Sequence, residues 1–332
     1  MIISPPSQEG DLGDELPYEV TIINPSEEEV TLTITASVPS GWDYWLDTLG
    51  MVEVTIGPGQ SAKIPLRVKS PAEGVPSGEY IISVTAQNEN FGTGYAKYEI
   101  PNQPPAKPGI PTEYLSWNHC SIQALSIPTF YWTYSDPEGD PQAGYQIRID
   151  NDSDFSSPEP DEFTDSKDSP SHSYTPLPTP WGNWMNWNTD YWWVVKVKDN
   201  QGNWSDWSDP TQFTTPLHAG PWPEFTPSPN RVSLNQVVTF EDSSKCYTSP
   251  GNVEYNCRDL AVSYEWDFDY IEPTFTIPAD STTKGNATTA YSDLGNYKVK
   301  LRITDDIDTC YSETENLTVT LPLPEWREIA PF

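Results

Sequence analysis

Basic side chains are scarce in this sequence. Lys and Arg number 17 of 332 residues against 49 Asp and Glu, a formal net charge of −32. A surface so acidic excludes nucleic acid as partner, because phosphates demand basic contacts, and disfavours docking on an anionic membrane. Histidine (3) and cysteine (4) are also rare, which leaves little material for metal or nucleophile chemistry. No stretch approaches the ~20 apolar residues of a membrane-spanning helix. Met1-Ile-Ile-Ser-Pro-Pro has neither a basic region nor an apolar core and so does not read as a signal peptide. A removed leader or a segment of a longer protein is the expectation. No phosphate-cradling Gly-rich loop, HExxH or GxSxG occurs, and His119, His172 and His218 lie in loop-like stretches without a paired nucleophile. A non-catalytic protein is expected.

Other residue types are abundant. The 35 prolines are about twice the usual ~5 % share and oppose long helices. Fourteen Trp, 18 Tyr and 10 Phe exclude disorder, since disordered chains are poor in aromatics. Tyr18–Ile23, Val30–Thr35, Val52–Ile56 and Tyr80–Thr85 alternate apolar and polar residues in short runs separated by Pro, Gly and Ser. That period of two predicts antiparallel strands with one buried face, and the regular strand spacing predicts β-sandwiches. Two proline-rich seams, Pro101–Pro108 and Thr215–Pro223, divide the chain. The expected architecture is all-β, three tandem Ig-like antiparallel sandwiches over residues 1–101, 102–216 and 217–322, followed by a tail, 323–332.

Motifs give each unit a family resemblance. Asn24-Pro-Ser, Val38-Pro-Ser-Gly-Trp42, Ile56-Gly-Pro-Gly-Gln-Ser and Pro76-Ser-Gly-Glu-Tyr80 resemble the alpha-galactosidase-associated Ig-like domains of secreted bacterial and archaeal proteins. Phe130-Tyr-Trp132, Ser135-Asp-Pro-Glu-Gly-Asp140, Tyr145-Gln-Ile-Arg-Ile and Asn188-Thr-Asp-Tyr191-Trp-Trp-Val are similar to a fibronectin type III domain. Tyr264-Glu-Trp266-Asp-Phe-Asp269 and the stretch Tyr291 to Asp305 resemble a polycystic-kidney-disease (PKD) domain. The Gly-Asp-Gly that follows Trp-Asp-Phe in that family is replaced by Tyr-Ile-Glu after Asp269, so the next turn is expected to be rebuilt. Trp132 and Trp266 are expected to fill the space between sheets, Tyr191 to form a tyrosine corner, and Gly295 to supply a turn.

Four constellations stand out. Trp204-Ser-Asp-Trp207-Ser208 is a WSxWS motif, and alternation along Tyr191–Lys198 turns Lys196 and Lys198 outward. A stabilising ladder of Trp204 and Trp207 with Lys196 and Lys198 is expected, in preference to a receptor-like partner surface. Trp181, Trp184 and Trp187 lie along one loop-like stretch and could stack on sugar rings or pack against the fold. Asp136, Glu138 and Asp140 alternate around a Pro and a Gly and are the calcium candidates, with Asp150-Asn-Asp152-Ser-Asp154 and Asp305-Asp306-Ile-Asp308 as further acidic turns; none completes an EF-hand loop. Solvated turns are the alternative.

Four cysteines allow three pairings. Placing them by topology near one junction favours Cys246–Cys257 and Cys120–Cys310, the second a staple between units; a zinc site lacks any CxxC or His pair. An even cysteine count and sequons at Asn151, Asn203, Asn286 and Asn316 point to an extracellular or cell-surface location. The function expected is a structural subunit of a filament or layer that self-associates through ordered ends, with Met1–Pro6 or Leu321–Phe332 completing a neighbour's open sheet edge. The alternative is an adhesive or carbohydrate-binding module, with glycans as partners.

Overall fold

The computed structural model describes residues 1–47, 51–87, 92–156, 162–176, 185–260 and 263–322. Its elements are strands, with a single-turn 3-10 segment at Cys257–Asp259; no α-helix occurs among the described residues.

Three separate apolar clusters organise the chain. The first lies between two sheets built from β1 (Ile2–Ser4), β2 (Ser7–Glu9), β3 (Glu15–Ile23), β4 (Val30–Ser37), β5 (Asp43–Leu46), β6 (Met51–Ile56), β7 (Ser61–Lys69), β8 (Gly78–Gln87) and β9 (Gly92–Ile100). Their orders are β1-β3-β7-β5 and β2-β9-β8-β4-β6. The alternating runs read from the sequence all fall in strands, and their inward residues Val20, Ile34 and Ile82 are fully buried with Leu46, Leu66 and Tyr98.

The second unit comprises β10 (Leu115–Asn118), β11 (Ile127–Tyr131), β12 (Gln142–Asp150), β13 (Glu162–Lys167), β14 (Ser173–Tyr174), β15 (Asp190–Asp199) and β16 (Thr211–Thr214), in sheets β10-β11-β14 and β13-β12-β15-β16. Phe130, Trp132, Ile147, Trp193, Val195 and Val197 meet in its core. Trp132 lies just past the end of β11 rather than inside a strand, and its indole N–H donates to buried Gln142 at 3.2 Å.

The third unit contains β17 (Phe225–Ser228), β18 (Arg231–Ser233), β19 (Val237–Asp242), β20 (Lys245–Thr248), β21 (Val253–Asn256), β22 (Ser263–Asp267), β23 (Ala287–Ala290), β24 (Gly295–Thr304), β25 (Thr309–Tyr311) and β26 (Glu315–Thr320). One sheet runs β17-β19-β23; the other runs β18-β26-β24-β22 with β25 also on β24, and β20–β21 form a hairpin. Trp266 is fully buried, with Phe225 edge-on at 5.1 Å and Phe240 at 5.9 Å, and its indole N–H donates to Thr283 O at 2.9 Å.

The sandwich fold is refined in one respect and two expectations are corrected. Pairing is not wholly antiparallel: β2 lies parallel to β9 and β18 parallel to β26. In both units the opening strand is cut at proline, Pro5-Pro6 and Pro229, and resumes on the opposite sheet, because proline has no N–H to continue a ladder. The same arrangement removes Met1–Pro6 as a donor to a neighbour, since Ile2–Ser4 pairs with Glu19–Thr21 of its own sandwich and Ser7–Glu9 with Lys97–Glu99. Gly295 is the first residue of β24 and lies outside the left-handed region. A Cβ at Gly295 would make ordinary contact with the Tyr297 ring at 3.7 Å, so neither turn conformation nor crowding calls for glycine there.

Candidate functional site

Polar contacts bridge both seams. At the first, the turn Asp136–Asp140 between β11 and β12 meets the first unit. Ser77 Oγ donates to Asp140 Oδ2 at 2.9 Å, and the Gln103 N–H of the seam donates to Glu138 Oε2 at 3.2 Å. Asn102 Nδ2 donates to Asp199 Oδ2 at 2.8 Å, and Gln201 Nε2 bonds Ser77 Oγ. The turn is shaped from within, since Asp136 Oδ1 accepts from the backbone N–H of Glu138 (3.0 Å) and of Asp140 (3.1 Å). Gly139 closes it with φ of 82°, a conformation that disfavours a side chain.

This turn gathers charge. One carboxylate oxygen from each of Asp136, Glu138 and Asp140 lies within 4.8 Å of the others. Glu138 and Asp199 are completely buried and Asp140 nearly so. Burial pushes the Asp136 carboxyl up, partly offset by the N–H groups of Asp140 and Glu138, and the Asp140 and Asp199 charges push further. Burial likewise raises Glu138, against the Gln103 N–H and with the Asp136 and Asp140 charges. Sequence reasoning missed Asn102 and Asp199. The fold brings them to this seam from 97 residues apart, and neither carries a local motif that could have signalled the contact.

The second seam is joined covalently. Cys120, between β10 and β11, is bonded to Cys310 of β25, with Cα atoms 5.4 Å apart. Cys246 of β20 is bonded to Cys257, Cα atoms 4.8 Å apart. Polar contacts surround the staple. Asn252, at the β20–β21 turn, accepts from the Ala219 N–H at 2.7 Å and donates to Ala124 O at 3.2 Å. His218 is buried with Nε2 3.2 Å from Asp306. Gly220 passes so close to His119 that a Cβ there would stand 2.9 Å from the His119 carbonyl oxygen. The metal-compatible trio at this seam is His218, Asp305 and Asp306; Asp308 instead lies by Cys120. Asp150, Asp152 and Asp154 form successive turns, each accepting a backbone N–H two residues on.

The WSxWS residues form a ladder over the outer face of the second unit. Lys196 Nζ lies 4.9 Å from the Trp204 ring centroid and 5.0 Å from that of Trp207, and Lys198 Nζ lies 5.4 Å from Trp204. Arg148 of β12 extends it, 5.8 Å from Trp207 and 5.3 Å from Phe155. The serines replace a strand. Ser208 N–H donates to Val195 O (2.8 Å) while its Oγ accepts the Val195 N–H (3.0 Å). Ser205 does the same to Val197, at 2.9 and 3.0 Å.

A second, unsignalled copy of this device lies in the third unit. Ser312 exchanges both bonds with Leu301. Lys300 lies 4.8 Å from the Tyr270 ring and 6.0 Å from Tyr311, and Arg302 4.5 Å from Phe275. Arg302 also forks onto Glu265 at 2.8 and 2.6 Å.

Of the other candidates, Tyr191 OH accepts the Asn186 N–H at 2.9 Å, five residues upstream. Trp181 and Trp184 lie outside the described residues; Trp187 is half-buried and lines a small cavity with Trp117 and Met185. Asn151, Asn286 and Asn316 are exposed and Asn203 half-buried; Asn286 Oδ1 accepts the Asp242 N–H at 2.9 Å.

These features define a class of fold, tandem immunoglobulin-like β-sandwiches, with disulfides that fit an oxidising, extracellular or surface setting. Among the described residues no helix is long and apolar enough to cross a membrane. Residues 111–219, about a third of the chain, match the family model of the Rha78A-like, N-terminal immunoglobulin domain. Among solved structures, one similar chain is from the crystal structure of Dpr2 Ig1-Ig2 in complex with DIP-Theta Ig1-Ig3, with 10% identity over 96% of this chain and 97% of that one and a TM-score of 0.31. No curated protein matches in sequence.

Proposed function

We propose that the chain is a non-catalytic extracellular spacer, with sandwiches over residues 1–101, 102–216 and 217–322, that serves as a repeating structural subunit of a surface filament or layer. The observation that carries this reading is the treatment of the seams. Flexible linkers between beads are solvated and make few contacts. Here Ser77 of the first unit is bonded to Asp140 of the second, Asn102 and Gln103 of the seam are bonded to Asp199 and Glu138, and the second seam is spanned by Cys120–Cys310. Such joints transmit shape.

Motif residues that touch one another support the finer family readings. Asn24 Nδ2 donates to Ile56 O at 2.9 Å, and Trp42 lies 4.9 Å from Tyr80, so all four motif stretches of the alpha-galactosidase-associated type meet in pairs. The tyrosine corner at Tyr191 supports the fibronectin type III reading, and the buried Trp266 supports the PKD reading. With Met1–Pro6 committed to its own sandwich, the segment proposed to link neighbours is Leu321–Phe332, of which 323–332 lie outside the described residues. Exposed Asn151, Asn286 and Asn316 and half-buried Asn203 are the proposed glycan positions.

Electron microscopy of native material tests the reading. Fibres or sheets with a repeat set by this chain are expected. Material that stays monomeric at all concentrations, or turnover of a substrate by the purified chain, would overturn it.

A further inference from the structure

Burying several carboxylates together with no cation is costly, because each ion gives up its hydration and repels the others. The first seam gathers such carboxylates. Asp136, Glu138 and Asp140 share one 4.8 Å cluster, Glu138 has no exposed surface, and Asp199 is equally buried beside them. Among the described ion pairs none involves these four residues; Lys107 is engaged with Asp209 and Lys198 with Asp168.

Spare oxygens remain on the same residues. Asp136 Oδ2 and Glu138 Oε1 are buried and accept no hydrogen bond, although their sister oxygens are in use: Oδ1 by two backbone N–H groups, Oε2 by the Gln103 N–H. Asn102 Oδ1, on the seam itself, is also buried without a partner. Buried acceptors are nearly always satisfied, and charged orphans grouped on one seam suit a cation. All the available donors are oxygens, carboxylate and amide. Hard cations take such a set, and calcium suits it better than magnesium, which demands near-ideal octahedral geometry.

We propose that Asp136, Glu138 and Asp140 bind one calcium ion, and that this ion fixes the first unit against the second. The coupling is direct. Asp140 accepts from Ser77 of the first unit and Glu138 from Gln103 of the seam, so an ion that holds these carboxylates in place holds the acceptors for both contacts. The site stands apart from the filament reading, because binding is measured on the isolated chain.

The test is calorimetric titration of the chelator-stripped full chain with calcium chloride, paired with amide NMR spectra of the same samples. One site per chain is expected, with a dissociation constant on the order of 10⁻⁴–10⁻³ M or tighter, as in extracellular modules. Amide shifts should cover both the 136–140 turn and the Ser77 region. Glu138→Gln keeps the shape and removes a charge; at least a tenfold loss of affinity is expected, and Asp136→Asn provides the same comparison should Glu138→Gln not fold. No calcium heat in the wild-type chain, or undiminished affinity in the folded variant, would overturn the site. Shifts confined to the turn, with Ser77 unmoved, would overturn the locking role.

Discussion

Cys120 and Cys310 stand 190 positions apart and are joined, with Cα atoms 5.4 Å from each other, across the second seam. Each belongs to a different sandwich with its own core, so the bond constrains docking rather than folding. Replacing both by Ser should leave three folded units and broaden the distance distribution measured by solution scattering. A non-reducing digest should release Cys120 linked to Cys310 and Cys246 linked to Cys257; any other pairing contradicts the account.

The Trp–Lys ladder contributes stability through contacts that a cycle of mutants isolates. Lys196→Met and Trp204→Leu, singly and together, should show a coupling of ~0.5–1 kcal/mol. Ser208→Ala should cost more, about 1–3 kcal/mol, because it leaves the Val195 N–H buried without an acceptor. Chemical denaturation followed by tryptophan fluorescence gives both numbers. A Ser208→Ala chain as stable as wild type would remove the strand-replacement role.

Much of this was legible in the sequence, and the boundary between what was and was not is physical. Alternation is local, so Tyr18–Ile23 or Tyr191–Lys198 announces a strand and its buried face. The WSxWS spacing announces Trp204 and Trp207 against Lys196 and Lys198. Arg148 and Phe155 escaped because β12 brings them in through register, Arg148 lying opposite Val194. The third unit's ladder escaped because Tyr270, Phe275 and Tyr311 are separated by irregular backbone and share no motif. Asn102 and Asp199 meet only once the first seam folds back on the second unit. The acidic turn itself was visible as alternating carboxylates, but not the burial of Glu138.

Truncating Trp266 should strike one unit alone. The indole is fully buried among Phe225, Phe240 and Phe268, and loss of such a side chain costs about 3–5 kcal/mol. In Trp266→Ala the third unit should melt earlier while amide signals of the first unit, such as Val20 and Ile82, persist. Simultaneous loss of all three would show that the sandwiches fold as one.

Alkaline pH should destabilise the chain in a defined window. Tyr18, Tyr134, Tyr174, Tyr264 and Tyr291 are pushed far above the ordinary phenol range, burial being the main cause in each. Folded, these hydroxyls stay neutral; unfolded, they ionise near the ordinary phenol value of 10.0. The unfolded chain therefore binds fewer protons above that pH, so stability is intact below it and falls as pH rises through it. Phenolate absorbance of this group should appear together with loss of the near-ultraviolet circular dichroism. Ionisation of all tyrosines with that signal intact would contradict the burial described.

The claim on which the rest depends is that the three sandwiches move as one body. Residual dipolar couplings of backbone amides, recorded on the oxidised full chain in saturating calcium, test it most directly. All four cysteines being paired, no free thiol complicates the sample. A single alignment tensor, equal in magnitude and orientation for β3–β9, β10–β16 and β17–β26, is the expected result. Separate tensors of unequal magnitude for the three units would contradict it.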